Sequence, residues 1–134
     1  MYVDNELVLD WNVAVSADRV STHKIDLAAN RKIWAGRTLY AVVIITETFA
    51  DMTSLVFQVV TASTENLVTN RKIEVMTRPI LEAELTAGRA PIIIPIGSAD
   101  DIPQQYLGMY YDETGSPSAG KVTAFIALDA QTNV

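Results

Sequence analysis

The chain contains no cysteine, one histidine and ten basic residues against sixteen acidic ones, giving a formal net charge of −6 over 134 residues. Without cysteine there are neither disulfides nor thiolate metal sites, so hydrophobic packing has to supply the stability. A lone histidine, His23, cannot furnish the histidine cluster of a cupin-type metal enzyme. The acidic balance, with a pI near 4.6, opposes a surface built to neutralise phosphates, so nucleic acid is not an expected partner. No apolar run approaches the ~20 residues of a membrane helix. The first ten residues, M-Y-V-D-N-E-L-V-L-D, carry acids where a secretory signal needs positive charge. These absences lead to the expectation of a soluble, non-secreted protein with no membrane partner and no cofactor. Its length suits one domain that buries about two-thirds of the surface its unfolded chain exposes.

What the chain does have is period-2 patterning and many β-branched residues, with no sustained helical stripe. The pattern predicts strands over residues 11–15, 22–27, 39–49, 55–63, 73–76, 80–85, 89–96, 106–112 and 121–129, and a short helical turn within residues 26–34. Punctuators fall at 35–37, 50–52, 87–88, 95–103 and 115–120. Short strands at this spacing predict an all-β fold, a jelly-roll-like β-sandwich of about eight antiparallel strands. Residues 21–134 form that sandwich, and residues 1–20 read as an N-terminal arm or an edge strand. The tetrapeptide Asn30-Arg31-Lys32-Ile33 recurs as Asn70-Arg71-Lys72-Ile73, but the flanks differ, so it marks no repeat.

The strands are too apolar for a sheet with one face in water. Residues 39–49 and 55–63 carry apolar side chains on both faces, and so do residues 104–129, read as two strands joined by a Gly/Ser/Pro loop. Pro91 and Pro95 flank Ile92, Ile93 and Ile94, which places that strand at a sheet edge, because proline cannot donate to a ladder. An edge with three isoleucines needs a cover.

Chemistry is hard to find in the ionisable residues. Ser21 and His23 would share a strand face, but Asp26 falls on the other and no nucleophile elbow is present. The pairs Asp100-Asp101 and Asp112-Glu113 read as loop acids without calcium-loop spacing. Glu82 and Glu84 share a strand face, as carboxylates on sheet surfaces commonly do. No glycine-rich phosphate cradle or zinc spacing occurs, so no catalytic, cofactor or metal residues are assigned and a non-enzymatic role is expected. The aromatic residues and methionine are the better candidates, since both types are enriched in protein interfaces. Tyr2, Trp11, Trp34, Tyr106, Met109, Tyr110, Tyr111 and Phe125 are the interface candidates.

The order of features resembles the small jelly-roll cement, or decoration, proteins that bind the outside of icosahedral heads in tailed double-stranded DNA bacteriophages. The resemblance rests on Ser21-Thr22-His23-Lys24-Ile25-Asp26-Leu27 followed by Arg31, Ile33, Gly36 and Leu39. It continues with Arg78-Pro79-Ile80, Leu85, Ala87-Gly88 and the run 92–95. It closes with Tyr106-Leu107-Gly108-x-Tyr110, a glycine loop, Gly120-Lys121-Val122-Thr123-Ala124 and Gln131. It implies a viral structural protein on the virion surface, made in the host cytoplasm, that contacts the major capsid protein and itself, as a homodimer or alternatively a trimer. Excess apolar surface suits a protein with several interfaces. The competing expectation is a carbohydrate-binding β-sandwich that stacks sugars on Trp11, Trp34 or the Tyr110-Tyr111 pair.

Overall fold

The computed structural model describes residues 7–26, 39–96 and 105–127. Among them are eight strands, all paired antiparallel: β1 (Val8–Ala14), β2 (Arg19–Val20), β3 (Ile25–Asp26), β4 (Leu39–Ala62), β5 (Lys72–Met76), β6 (Ile80–Leu81), β7 (Ile92–Ile96) and β8 (Tyr106–Ala127). A 3₁₀ turn, Glu82–Glu84, follows β6. The fold is an all-β, sandwich-like one, as the alternation predicts.

Its framework is one long ribbon. The 24-residue β4 and the 22-residue β8 pair from Tyr40 opposite Ala127 to Ala62 opposite Tyr106. Each therefore replaces what the sequence reads as two strands. The punctuators Ala50-Asp51-Met52 and Gly115 to Gly120 do not break the ribbon. Instead they fall where its register slips repeatedly, with Ala50 opposite Ala119 and Met52 opposite Gly115, and where Asp51, Gly115 and Gly120 adopt positive φ. Bulges of this kind bend a strand and increase its twist. The bend divides the ribbon into two arms.

Each arm is widened to a layer by short strands. On one arm, β1 adds beside the later part of β8 (Val8 opposite Phe125, Ala14 opposite Lys121) and β7 beside the earlier part of β4 (Val43 opposite Ile92). On the other, β2 and β3 flank Tyr106 to Tyr111, while β5 and β6 flank residues 54–61. One core cluster draws on both layers: Ala41, Val43, Ile45, Val122, Ala124 and Ile126 from the first meet Leu55, Phe57, Val59, Leu107, Met109 and Tyr111 from the second. The inward side of β7, Ile92, Ile94 and Ile96, joins that core. Among the described residues β7 pairs with β4 alone, the edge position its prolines require.

The apolar outer faces are explained by two smaller clusters. Val42, Phe125 and Ala127 form one on the first layer, with Val8, Tyr40, Ile44 and Ile93 packed against them. On the second layer, Val60 and Ala62 are covered by Leu67 from the loop 63–71, with Val20, Tyr106 and Tyr110 at the margin. Leu67 reaches this position with φ of 58°, and a Cβ at Gly108 would sit 2.6 Å from its Cδ1. Here only glycine leaves room for the cover. Much of the two-faced hydrophobicity thus serves a third, local level of packing within the chain.

Two elements differ from the sequence expectation. The stretch 80–85 leaves the sheet after Leu81 because Glu82 turns back to accept the Met52 N–H at 3.0 Å. Residues 8–14 are an integral edge strand, with Leu9 and Asp10 wholly buried, so the sandwich includes this part of the segment read as a possible arm. The expected helical turn at 26–34, apart from Asp26, lies outside the described residues, as do Asn30 to Ile33 and Asp100-Asp101.

Candidate interaction surfaces

The eight candidate residues separate into three groups. Tyr2 and Trp34 lie outside the described residues. Met109, Tyr111 and Phe125 are fully buried within the chain itself, which corrects their reading as interface residues. Met109 and Tyr111 point between the layers, and Phe125 sits in the outer cluster with Val42. Tyr106 and Tyr110 are half-buried, and Trp11 is 66% exposed.

Tyr111 is a structural residue. Its ring meets Phe57 edge-on, with centroids 5.8 Å apart at 88°. Its hydroxyl donates to Asp10 Oδ2 at 2.5 Å, while Asp10 Oδ1 accepts the Thr22 N–H at 2.8 Å. The Arg19 guanidinium lies 3.8 Å from the same carboxylate. A buried carboxylate is tolerated only with such partners. Burial, then the charge of Asp10 and the hydrogen bond to it, push the Tyr111 phenol well above its ordinary pKa.

Tyr110, the preceding residue, faces the opposite side, as strand geometry demands. The Arg71 guanidinium lies 4.3 Å from the centre of its ring, a cation–π contact that ties the 63–71 loop to β8. Desolvation, with Asp18 next, raises the Tyr110 pKa. Because the two adjacent tyrosines point to opposite faces and the ring of Tyr110 is covered by Arg71, they cannot act together as a sugar-stacking platform.

Trp11 is placed outside by a bulge. Asp10 stands opposite Ala124 and Val13 opposite Val122, so Trp11 and Asn12 interrupt the regular register. Asn12 takes φ of 51°, a left-handed conformation that asparagine tolerates better than most residues. It is held there by its own N–H donating to Thr123 Oγ1 at 2.9 Å and by Thr46 Oγ1 donating to its side-chain oxygen at 2.7 Å. The indole is consequently presented on a fixed backbone. A little further along the same edge is a recess of about 220 Å³ lined by Ala14, Val15, Glu47, Pro117, Ala119 and Lys121.

Sequence reading missed a second group of exposed apolar side chains: Ile73 and Met76 on β5, Leu81 on β6 and Val68 in the covering loop. Their alternation resembles that of buried strands, and only the position of β5 and β6 at the margin of the layer exposes them. Among the described residues the polar candidates form no catalytic arrangement. Ser21 Oγ donates to the backbone oxygen of His23 rather than meeting its ring, and His23 is exposed. Asp112 and Glu113 sit in β8 and not in a loop. Glu84 forms a two-pronged pair with Arg78 at 2.7 and 3.1 Å, which holds its carboxyl below the usual range. Among the described residues no group of three or more His, Asp or Glu side chains could hold a metal ion.

The Bbp16 family model matches residues 11–126. The chain belongs to the Bbp16 family. The match runs from Trp11 in β1 to Ile126 near the end of β8, so in this Bbp16-family chain it spans both layers, the bent ribbon and the covering loop. No curated protein matches the chain.

Proposed function

We propose that this protein is a structural component of a phage virion that binds the outer surface of an icosahedral capsid as an oligomer, bridging neighbouring major capsid proteins and stabilising the mature shell. The observation that carries this reading is the exposure of large apolar side chains on rigid strand backbone: Trp11 on β1, Ile73 and Met76 on β5 and Leu81 on β6. They stand on both layers of a protein whose internal core is already complete. Large exposed apolar groups on a rigid scaffold suit contact with other proteins better than chemistry on small molecules. The order of sequence motifs shared with phage cement proteins supports the same reading. On a shell with many identical sites, several weak contacts gain strength through effective concentration.

Binding that favours the expanded shell would stabilise it against the immature form by linkage. Co-sedimentation of the purified protein with expanded and unexpanded heads tests this: retention on expanded heads is the expected result, and equal binding to both forms removes the stabilising role. Absence from both removes the capsid role altogether. The second reading, a carbohydrate-binding module, draws on the exposed indole of Trp11 alone; binding on a glycan array that is lost in Trp11→Ala would favour it.

A further inference from the structure

We propose that the loop 63–71 is a lid, hinged where it joins β4 and β5, that swings off the outer face of the second layer as one body when Leu67 leaves its seat. This device goes beyond the capsid reading and stands independently of it. The loop is closed upon itself. The Ser63 N–H and hydroxyl both donate to the Thr69 backbone oxygen, at 3.0 and 3.1 Å, and the Leu67 N–H donates to the Thr64 backbone oxygen at 3.0 Å. Asn66 Oδ1 accepts the Thr64 hydroxyl at 2.6 Å and the Val68 N–H at 3.1 Å, while Thr64 Oγ1 accepts the Thr69 N–H at 3.3 Å. Among the described residues, the turn and side-chain hydrogen bonds of 63–70 run only to one another. Leu67 and Asn70 are held at φ of 58° and 54°, which ordinary residues keep only where surrounding bonds over-determine the backbone. A swing that preserves the loop's shape breaks none of these bonds.

Two side chains tie this body to the layer. Leu67, wholly buried, packs on Val60 and Ala62 in the gap left by Gly108, which stands directly opposite Val60. The Arg71 guanidinium rests 4.3 Å from the centre of the Tyr110 ring. Residues 63, 65, 66 and 68–70 are exposed. The flank toward β3 is not packed either: an open recess of about 460 Å³ there is lined by Lys24, Thr64, Glu65 and Asn66. Withdrawing one leucine and one cation–π contact corresponds to an open population of roughly 0.1–3%. That exceeds the roughly 0.02% or less of a typical globally unfolded chain. Opening uncovers Val60 and Ala62 beside half-buried Val20, Tyr106 and Tyr110, while the core between the layers stays shut. The loop thereby sets how much apolar surface the second layer presents.

The chain has no cysteine, so a single introduced thiol reports its own exposure. Ala62→Cys places one beneath Leu67 and Ala124→Cys one in the core between the layers, both at wholly buried positions. The test is the rate at which each reacts with a soluble aromatic disulfide, in native buffer and in rising urea below the unfolding transition. The thiol at 62 should react about 10-fold or more faster than that at 124, as local opening precedes global unfolding. Its rate should scarcely depend on urea, because little surface is exposed, whereas the rate at 124 should climb steeply. Adding Arg71→Gln to Ala62→Cys should speed labelling about 3-fold, the worth of an exposed cation–π contact, with the same flat urea dependence. Val60→Cys, also under Leu67, gives the same reading should Ala62→Cys fail to fold. Equal rates with equal urea dependence at the two depths overturn the lid. Deuterium exchange of the Leu67 amide, whose bond lies inside the loop, should report a smaller open population than the thiol does. Equal populations from the two measurements overturn the one-body swing.

Discussion

The hydroxyl of Tyr111 donates to the carboxylate of Asp10 across a sequence separation of 101 residues, joining β1 of the first layer to the inward face of β8 in the second. Both side chains are fully buried. The contact fastens an edge strand to the sandwich at the point where an unpaired carboxylate would be most costly.

Replacing Tyr111 with Phe keeps the ring against Phe57 and removes only the donor to Asp10. The expected loss is about 1–3 kcal/mol, the cost of leaving a buried acceptor short of a partner. Chemical denaturation of the variant beside the wild type measures it. An unchanged midpoint would mean that Arg19 and the Thr22 N–H satisfy Asp10 by themselves.

The raised pKa of Tyr111 makes stability fall at alkaline pH. The folded protein retains the phenolic proton where the unfolded chain, with its ordinary value near 10, has released it. The contribution is therefore complete below pH ~10 and is lost as pH rises through the higher folded value. Ultraviolet titration should show one phenol that ionises only as the protein unfolds, and the alkaline decline should be shallower in Tyr111→Phe.

Gly120 and Gly88 both adopt positive φ but meet different surroundings. An added Cβ at Gly120 would lie 2.3 Å from the Phe49 ring, whereas at Gly88 it would meet nothing within 4 Å. Gly88→Ala should cost about 1 kcal/mol of backbone strain. Gly120→Ala should cost about 3 kcal/mol or more, since displacement of a buried ring is added to that strain. Equal losses measured by thermal melting would show that Phe49 relaxes freely.

Deleting residues 1–10 removes Leu9 from the core and Asp10 from Tyr111. A loss on the order of 4 kcal/mol or more is expected from the missing leucine and the orphaned donor, and circular dichroism should show a strongly lowered melting temperature. An unchanged melting temperature, with only head binding weakened, is what a detachable arm would give.

Strand identity was legible wherever alternation coincided with β-branched residues. Leu55, Phe57 and Val59 read as a core stripe and are one, and Pro91 and Pro95 marked the edge strand. The fate of the tyrosines was not. Tyr106 and Tyr110 lie at the margin of the outer cluster and Tyr111 in the inner core, because the burial of each face depends on which strand pairs alongside and what lies above. The exposure of Ile73 and Met76 was hidden for the same reason.

The ribbon's bend shows the division most clearly. Glycine, proline and aspartate around residues 50–52 and 115–120 announce an interruption, and local chemistry cannot distinguish a loop from a bulged crossing. Cross-strand hydrogen bonds decide it, since partners more than sixty residues away satisfy the backbone groups that a loop would leave to water. Asp10 obeys the same logic: a carboxylate in a strand reads as solvent-facing until a distant phenol and an amide come within reach. Sequence alone determined the β class, the inward stripes and the edge position of β7, because periodicity and proline act through neighbouring residues. Tertiary structure decided the continuity of β4 and β8, the burial of Asp10 and Tyr111 and the exposure of Trp11, because each depends on partners that only the folded chain brings together.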